Sequence, residues 1–124
     1  MTSVSSADSL QSSLGYRFKA IGLLEEALTH SSLVNEQKAA LPQHNERLEF
    51  LGDAVLSLVM SEYLASALPQ SSEGTLSKLK AQVVSEASLA QVARRLGLGE
   101  HLKLGRGEDR SKGREKDSLL ADAL

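Results

Sequence analysis

The chain of 124 residues has no cysteine. Disulfides, thiolate metal sites and a cysteine nucleophile are therefore excluded. It also has no uninterrupted apolar run near the roughly 20 residues needed to span a bilayer, so no membrane-crossing segment and no membrane partner are expected. The first residues, MTSVSSADSLQSS, lack a basic start and an apolar stretch. That is not a secretory signal, and a cytoplasmic location is expected. Neither charge sign is in large excess, with 14 Lys and Arg against 16 Asp and Glu. A net charge of -2 argues against a chain that coats nucleic acid non-specifically, while leaving room for a local basic patch. What is present is ordinary globular composition, 41% hydrophobic and 24% charged, in a length that suits one domain.

The serine-rich residues 1–13 read as a flexible leader running into a short helix. From Leu14, apolar residues at Phe18, Ile21, Leu24 and Leu28 recur near helical spacing, with Gly15 and Gly22 as breaks. A polar stretch from Asn35 to His44, with Pro42 inside it, precedes the longest periodic run. That run extends from about Asn45, a candidate N-cap, to Leu68, just before Pro69. Its residues Leu48, Leu51, Val55, Leu58 and Val59 share one face, which predicts a helix lying on a core. A further helical stretch covers Thr75 to Leu96, broken at Ser85 or Ser88 and ended by Gly97. Residues 101–118, HLKLGRGEDRSKGREKDS, mix six Lys and Arg, four acids and three glycines, and the basic part from Lys103 to Lys116 reads as a flexible polar loop. A last helix begins behind Asp117 or Ser118. No strand pattern and no repeat are found, so the expected fold class is all-α.

The long helix carries an unusual stripe. With Glu46 at 0°, Glu49 falls at about -60° and Asp53 at about -20°, so three carboxylates share one face. A solvated polar face is the ordinary account of such a pattern. Against it, like charges at these spacings disfavour a helix and no lysine is interleaved. Phe50, Leu56 and Met60 also flank the acids, which suggests that this side is covered as well. Clustered carboxylates under partial cover repel unless a cation neutralises them, and an all-oxygen set suits Mg²⁺ or Mn²⁺. Asp122, an acid in the apolar segment LLADAL, is either a further member of that set or the polar side of a final helix.

At HNERLEFLGDAVL, residues 44–56, the sequence resembles the signature of the ribonuclease III family, endonucleases of double-stranded RNA. ALTHSS (27–32), the Glu73–Gly74 pair, LGLGEHLKLGRGE (96–108) and DSLLADAL (117–124) resemble the same family in the same order. The resemblance runs from about Leu14 to Leu124. It implies an all-α nuclease domain over 14–124 with Glu49, Asp53 and Asp122 as metal ligands, Asp53 holding or activating the nucleophilic water. Glu46 and Glu73 would be further catalytic acids in the same valley, and Phe50 would enter a socket on a second subunit of a homodimer. Mg²⁺, replaceable by Mn²⁺, would support hydrolysis of double-stranded RNA to 5′-phosphate and 3′-hydroxyl ends. Lys78, Lys80, Arg106, Lys112 and Arg114 are candidate phosphate contacts, since A-form RNA is read mainly through backbone and shape.

The family pattern also places a metal-ligand glutamate directly after Leu124, then further helices and a double-stranded-RNA-binding domain. The sequence thus reads as a nuclease domain cut in its last helix, with its C-terminal helices and the RNA-binding domain missing. A non-catalytic RNA-binding or dimerisation module on the same fold is the alternative. His30 and His44 are expected to cap or pack rather than to catalyse.

Overall fold

The computed structural model describes residues 6–37 and 44–124. The first five residues of the expected leader, and Pro42 in the expected polar stretch, lie outside them. Among the described residues eight α-helices follow one another: α1 (Ser6–Leu14), α2 (Ile21–Leu28), α3 (Ser31–Gln37), α4 (Glu46–Ala67), α5 (Glu73–Val83), α6 (Glu86–Arg95), α7 (Arg106–Arg110) and α8 (Asp117–Ala123). Short 3₁₀ turns at Leu98–His101 and Gly113–Glu115 join the last of them. Among the described residues there is no strand, only an isolated parallel bridge between Thr29 and Lys103. The fold is all-α, as expected.

Local chemistry accounts for most helix ends. Ser72 and Ser85 cap α5 and α6 by accepting from the backbone N–H of Thr75 and Ser88, both at 3.2 Å. Gly97, at φ +69°, supplies the left-handed residue that ends α6. Gly15 does the same for α1. Gly22, in contrast, lies inside α2 rather than breaking it, because the surrounding Leu24 and Leu28 are buried and hold that turn helical.

The core is assembled from α1, α2, α6, α8 and the segment between α6 and α7. Its members are Leu10, Leu24, Leu28, Ala90, Ala93, Leu98, Leu102, Leu104, Leu119 and Leu120. The fully buried alanines of α6 let α8 approach closely, so Leu119 and Leu120 interlock with that helix. Arg94 pairs with Asp117 across the same contact.

Three expectations are corrected. Residues 1–13 are not all leader: Leu10 is fully buried, and the Gln11 side chain accepts the Phe18 N–H at 2.7 Å, so α1 belongs to the domain. The basic segment 103–116 is not a loose loop. Arg114 donates to Asp109 at 2.9 Å and to the carbonyls of Gly99 and Leu102 at 3.1 and 2.5 Å, and Lys116 pairs with Glu108 at 2.7 Å. Two of its bases, Arg114 and Lys116, are answered by its own acids.

The third correction concerns α4. Its apolar face was expected to lie on the core, yet Leu51, Val55, Leu58 and Val59 are all more than half exposed and Leu64 is the only buried residue of the helix. Amphipathic spacing records that a face avoids water without recording which molecule covers it. By length and composition α4 is also long and apolar enough to cross a membrane, although no uninterrupted apolar run predicts it. Glu46, Glu49, Asp53 and Glu62 interrupt its apolar residues. That pattern suits a face that meets protein.

Candidate active site

The first turns of α4 carry Glu46, Glu49 and Asp53, and α8 brings Asp122 against them from across the domain. The Glu49 carboxyl lies within hydrogen-bonding reach of that of Asp122. Burial raises the Glu49 pKa above its ordinary value of 4.5, and the charge of Asp122, its hydrogen bond, and then the charges of Asp53 and Glu46 add to the shift. The helical arithmetic for α4 thus describes one neighbourhood of acids, and the acid in LLADAL joins it.

Glu49, Asp53 and Asp122 line a groove of about 500 Å³ whose wall is otherwise mostly apolar, including Leu48, Leu51, Val55, Val59, Leu89 and Leu124. Such a wall keeps water away from one side of Glu49 and explains why burial is the largest cause of its shift. Among the described residues no three His, Asp or Glu side chains converge closely enough to enclose an ion. The oxygen donors that Glu49 and Asp122 bring together are of the type that hard divalent cations take, and they lack the nitrogen and sulfur donors that Zn²⁺ sites commonly use.

Glu73 is not brought to this cluster. It opens α5 just beyond the turn that follows α4, so roughly 25 Å of helix separates it from Glu49 along the α4 axis. Lys80, on the returning helix, donates to Ser57 at 3.2 Å and fixes that antiparallel register. The expectation that Glu73 lines the same valley does not hold within a single chain, because the hairpin carries it to the opposite end of α4.

Among the basic candidates, Lys78, Arg106 and Lys112 are exposed. Lys80 is half-buried against α4, and the guanidinium of Arg114 is committed to Asp109 and two carbonyls, so these two are internal ties. Phe50 is 82% exposed beside the acids. His44 Nδ1 accepts the Glu46 N–H at 3.4 Å, and His30 Nδ1 accepts the Ser32 N–H at 3.1 Å. Both histidines serve local backbone, as expected.

Sequence reasoning missed the polar residues that hold this frame. Thr29 and Asn45 are almost completely buried, and Ser32 accepts the Gly105 N–H at 2.9 Å. Only glycine permits that approach, since a Cβ at residue 105 would stand 2.6 Å from the Ser32 carbonyl oxygen. Asn45 was read as a cap, but its side chain makes no cap hydrogen bond.

An all-α domain that gathers acids from two helices at the edge of an apolar groove has the donor chemistry for a hard divalent cation. Comparison with known proteins places it more closely. Residues 21–124 match the family described as Ribonuclease-III-like. The chain is 53% identical over 118 residues to Ribonuclease 3 of Desulforamulus reducens, covering 95% of this chain and 48% of that protein. To Ribonuclease 3 of Heliobacterium modesticaldum it is 58% identical over 111 residues, covering 90% and 47%. Among solved structures, the nuclease domain of ribonuclease III from Campylobacter jejuni superposes with a TM-score of 0.86 at 46% identity, over 94% of this chain and 77% of that one. That structure is described as showing flexibility in a region involved in dimer formation. The chain belongs to the ribonuclease III family. It spans about half the length of the curated relatives it matches.

Proposed function

We propose that this chain forms the nuclease part of a Mg²⁺-dependent endoribonuclease that cuts double-stranded RNA, leaving 5′-phosphate and 3′-hydroxyl ends. The observation that carries the reading is the meeting of Glu49 and Asp122 from helices far apart in sequence, with Asp53 and Glu46 beside them. A divalent cation, when bound there, would offset the carboxylate repulsion and stabilise charge developing on the phosphate. Glu49 and Asp122 would hold it, with Mn²⁺ able to replace Mg²⁺. Asp53, one turn beyond Glu49, would orient the attacking water and accept its proton. The apolar groove wall limits competing water, which strengthens each electrostatic interaction at the rim.

Exposed Lys78, Arg106 and Lys112 are the residues left to contact RNA phosphates. A second copy of the chain would cover the exposed face of α4, with Phe50 as its anchor. The description of the Campylobacter jejuni domain by a region involved in dimer formation supports that assembly.

A second reading, a non-catalytic RNA-binding or dimerisation module, is favoured by the exposed apolar face of α4, on which Leu51, Val55, Leu58 and Val59 stand open to solvent. Incubation of a long RNA duplex with Mg²⁺ separates the two. Cleavage that Asp53→Asn abolishes, with helicity unchanged, supports the enzyme. Binding of intact duplex with no cleavage at any Mg²⁺ or Mn²⁺ concentration supports the module.

A further inference from the structure

The C-terminal end of α2 accounts for all its carbonyls in an unusual way. A helix leaves its last four C=O groups without intrahelical partners, and buried ones must find others. Here Glu25 O accepts from the Thr29 hydroxyl at 2.6 Å and Glu26 O from the Thr29 N–H at 3.1 Å. Ala27 O accepts from Asn45 Nδ2 at 3.1 Å, and Leu28 O from the Lys103 N–H at 2.8 Å. Thr29 O then accepts the Asn45 N–H at 2.9 Å, and Lys103 O the His30 N–H at 3.0 Å. One helix end thereby clamps two distant segments: the start of α4, which carries Glu46 and Glu49, and residues 102–104, which share the core with α8 and so with Asp122.

We infer that Asn45 is a positioning residue, whose side-chain amide fixes the acid-bearing end of α4 to α2 and thereby sets Glu49 against Asp122. The inference rests on the proposed metal-dependent reading of those acids. Because α4 buries only Leu64, far along the helix, few other contacts fix its acidic end. Asn45 sits at an N-cap position, where Asp and Ser would serve as well or nearly so. Neither can replace it as a brace. Asp would set a carboxylate oxygen against Ala27 O, and Ser is too short to reach it.

The test uses the absence of native cysteine to place nitroxide labels at Arg47→Cys on α4 and Ser118→Cys on α8, both exposed. Pulsed dipolar spectroscopy reads the distance between the helices, and loss of the free Mn²⁺ EPR signal reads cation affinity in the unlabelled chain. Asn45→Asp and Asn45→Ser are each expected to broaden or shift the distance distribution and to weaken Mn²⁺ binding about tenfold, as loss of an outer-shell partner commonly does. For Asn45→Asp the sign is decisive, since an added negative charge alone would tighten cation binding. Leu10→Val, a core change that leaves both hydrogen bonds of Asn45 in place, should alter neither. Unchanged distances in both Asn45 variants, or an equal change in Leu10→Val, would overturn the inference. A native chain that binds no Mn²⁺ overturns the metal reading, and the distance measurement then still decides the role of Asn45.

Discussion

Replacing Asp122 by Asn tests the electrostatics of the acid cluster with a change of one charge and almost no volume. The folded state raises the Glu49 pKa, first by burial and then through Asp122, Asp53 and Glu46. A carboxyl with a folded pKa above its unfolded value binds its proton more tightly when folded. Its contribution to stability is full below about pH 4.5 and is lost as pH rises through the folded value. Without metal, the native chain should therefore lose stability from pH 4.5 upward. Two carboxylates about 4 Å apart in a water-like medium repel by about 1 kcal/mol, less with salt, so Asp122→Asn should return up to that amount at pH 7.5. For a chain of this size that is a rise in Tm of roughly 4 °C. Divalent cation reverses the order: at tenfold its Kd, Mg²⁺ stabilises the native chain by about 1.4 kcal/mol. Asp122→Asn, lacking one of the two ligands, should gain far less. The assay is thermal unfolding of both chains at pH 5 and 7.5, with EDTA and with Mg²⁺. Parallel Tm profiles against pH, or equal Mg²⁺ gains in the two chains, would refute the pairing of Glu49 with Asp122.

Leu10→Ala should destabilise the chain by about 2–5 kcal/mol in urea unfolding, because that side chain is fully buried; a leader residue would cost nothing. Phe50→Ala should shift sedimentation toward monomer, by about 2 kcal/mol of association energy if the ring anchors a subunit interface, while leaving the monomer's Tm unaltered because the ring is exposed. Lys116 holds the Glu108 carboxyl below its ordinary pKa by hydrogen bond and charge, an effect that present burial only partly opposes. That stabilisation exists above pH 4.5 and disappears as pH falls through the lowered value, so Lys116→Met should flatten the acid limb of the Tm profile and leave α7 frayed in amide exchange.

What could be read from sequence here was what one helix decides by itself. The limits of α4, a break at Ser85 or Ser88 and the common face of Glu46, Glu49 and Asp53 all follow from periodicity and local hydrogen bonding, and the structure keeps them, with Ser85 as the cap. The partnership of Glu49 with Asp122 does not follow from either helix, because α8 is set beside α4 by the core it shares with α2, α6 and residues 98–104. The motif supplied that pairing by resemblance. Charge composition misjudged residues 103–116 because it counts ions without saying whether solvent or another residue answers them; Arg114, bonded to Asp109 and two carbonyls, is answered internally.

The two largest differences, an exposed apolar face on α4 and a buried polar Asn45 at its start, have one physical origin. A helix that presents acids on one side and an apolar surface on the other has little left with which to grip its own domain. Packing holds α4 near Leu64, and at the acidic end two hydrogen bonds from Asn45 take over. Directional bonds suit that end better than apolar contact would, since they fix where Glu49 stands without covering it. An apolar contact strong enough to do the same would occupy the surface that Phe50, Leu51 and Val55 leave open beside the acids.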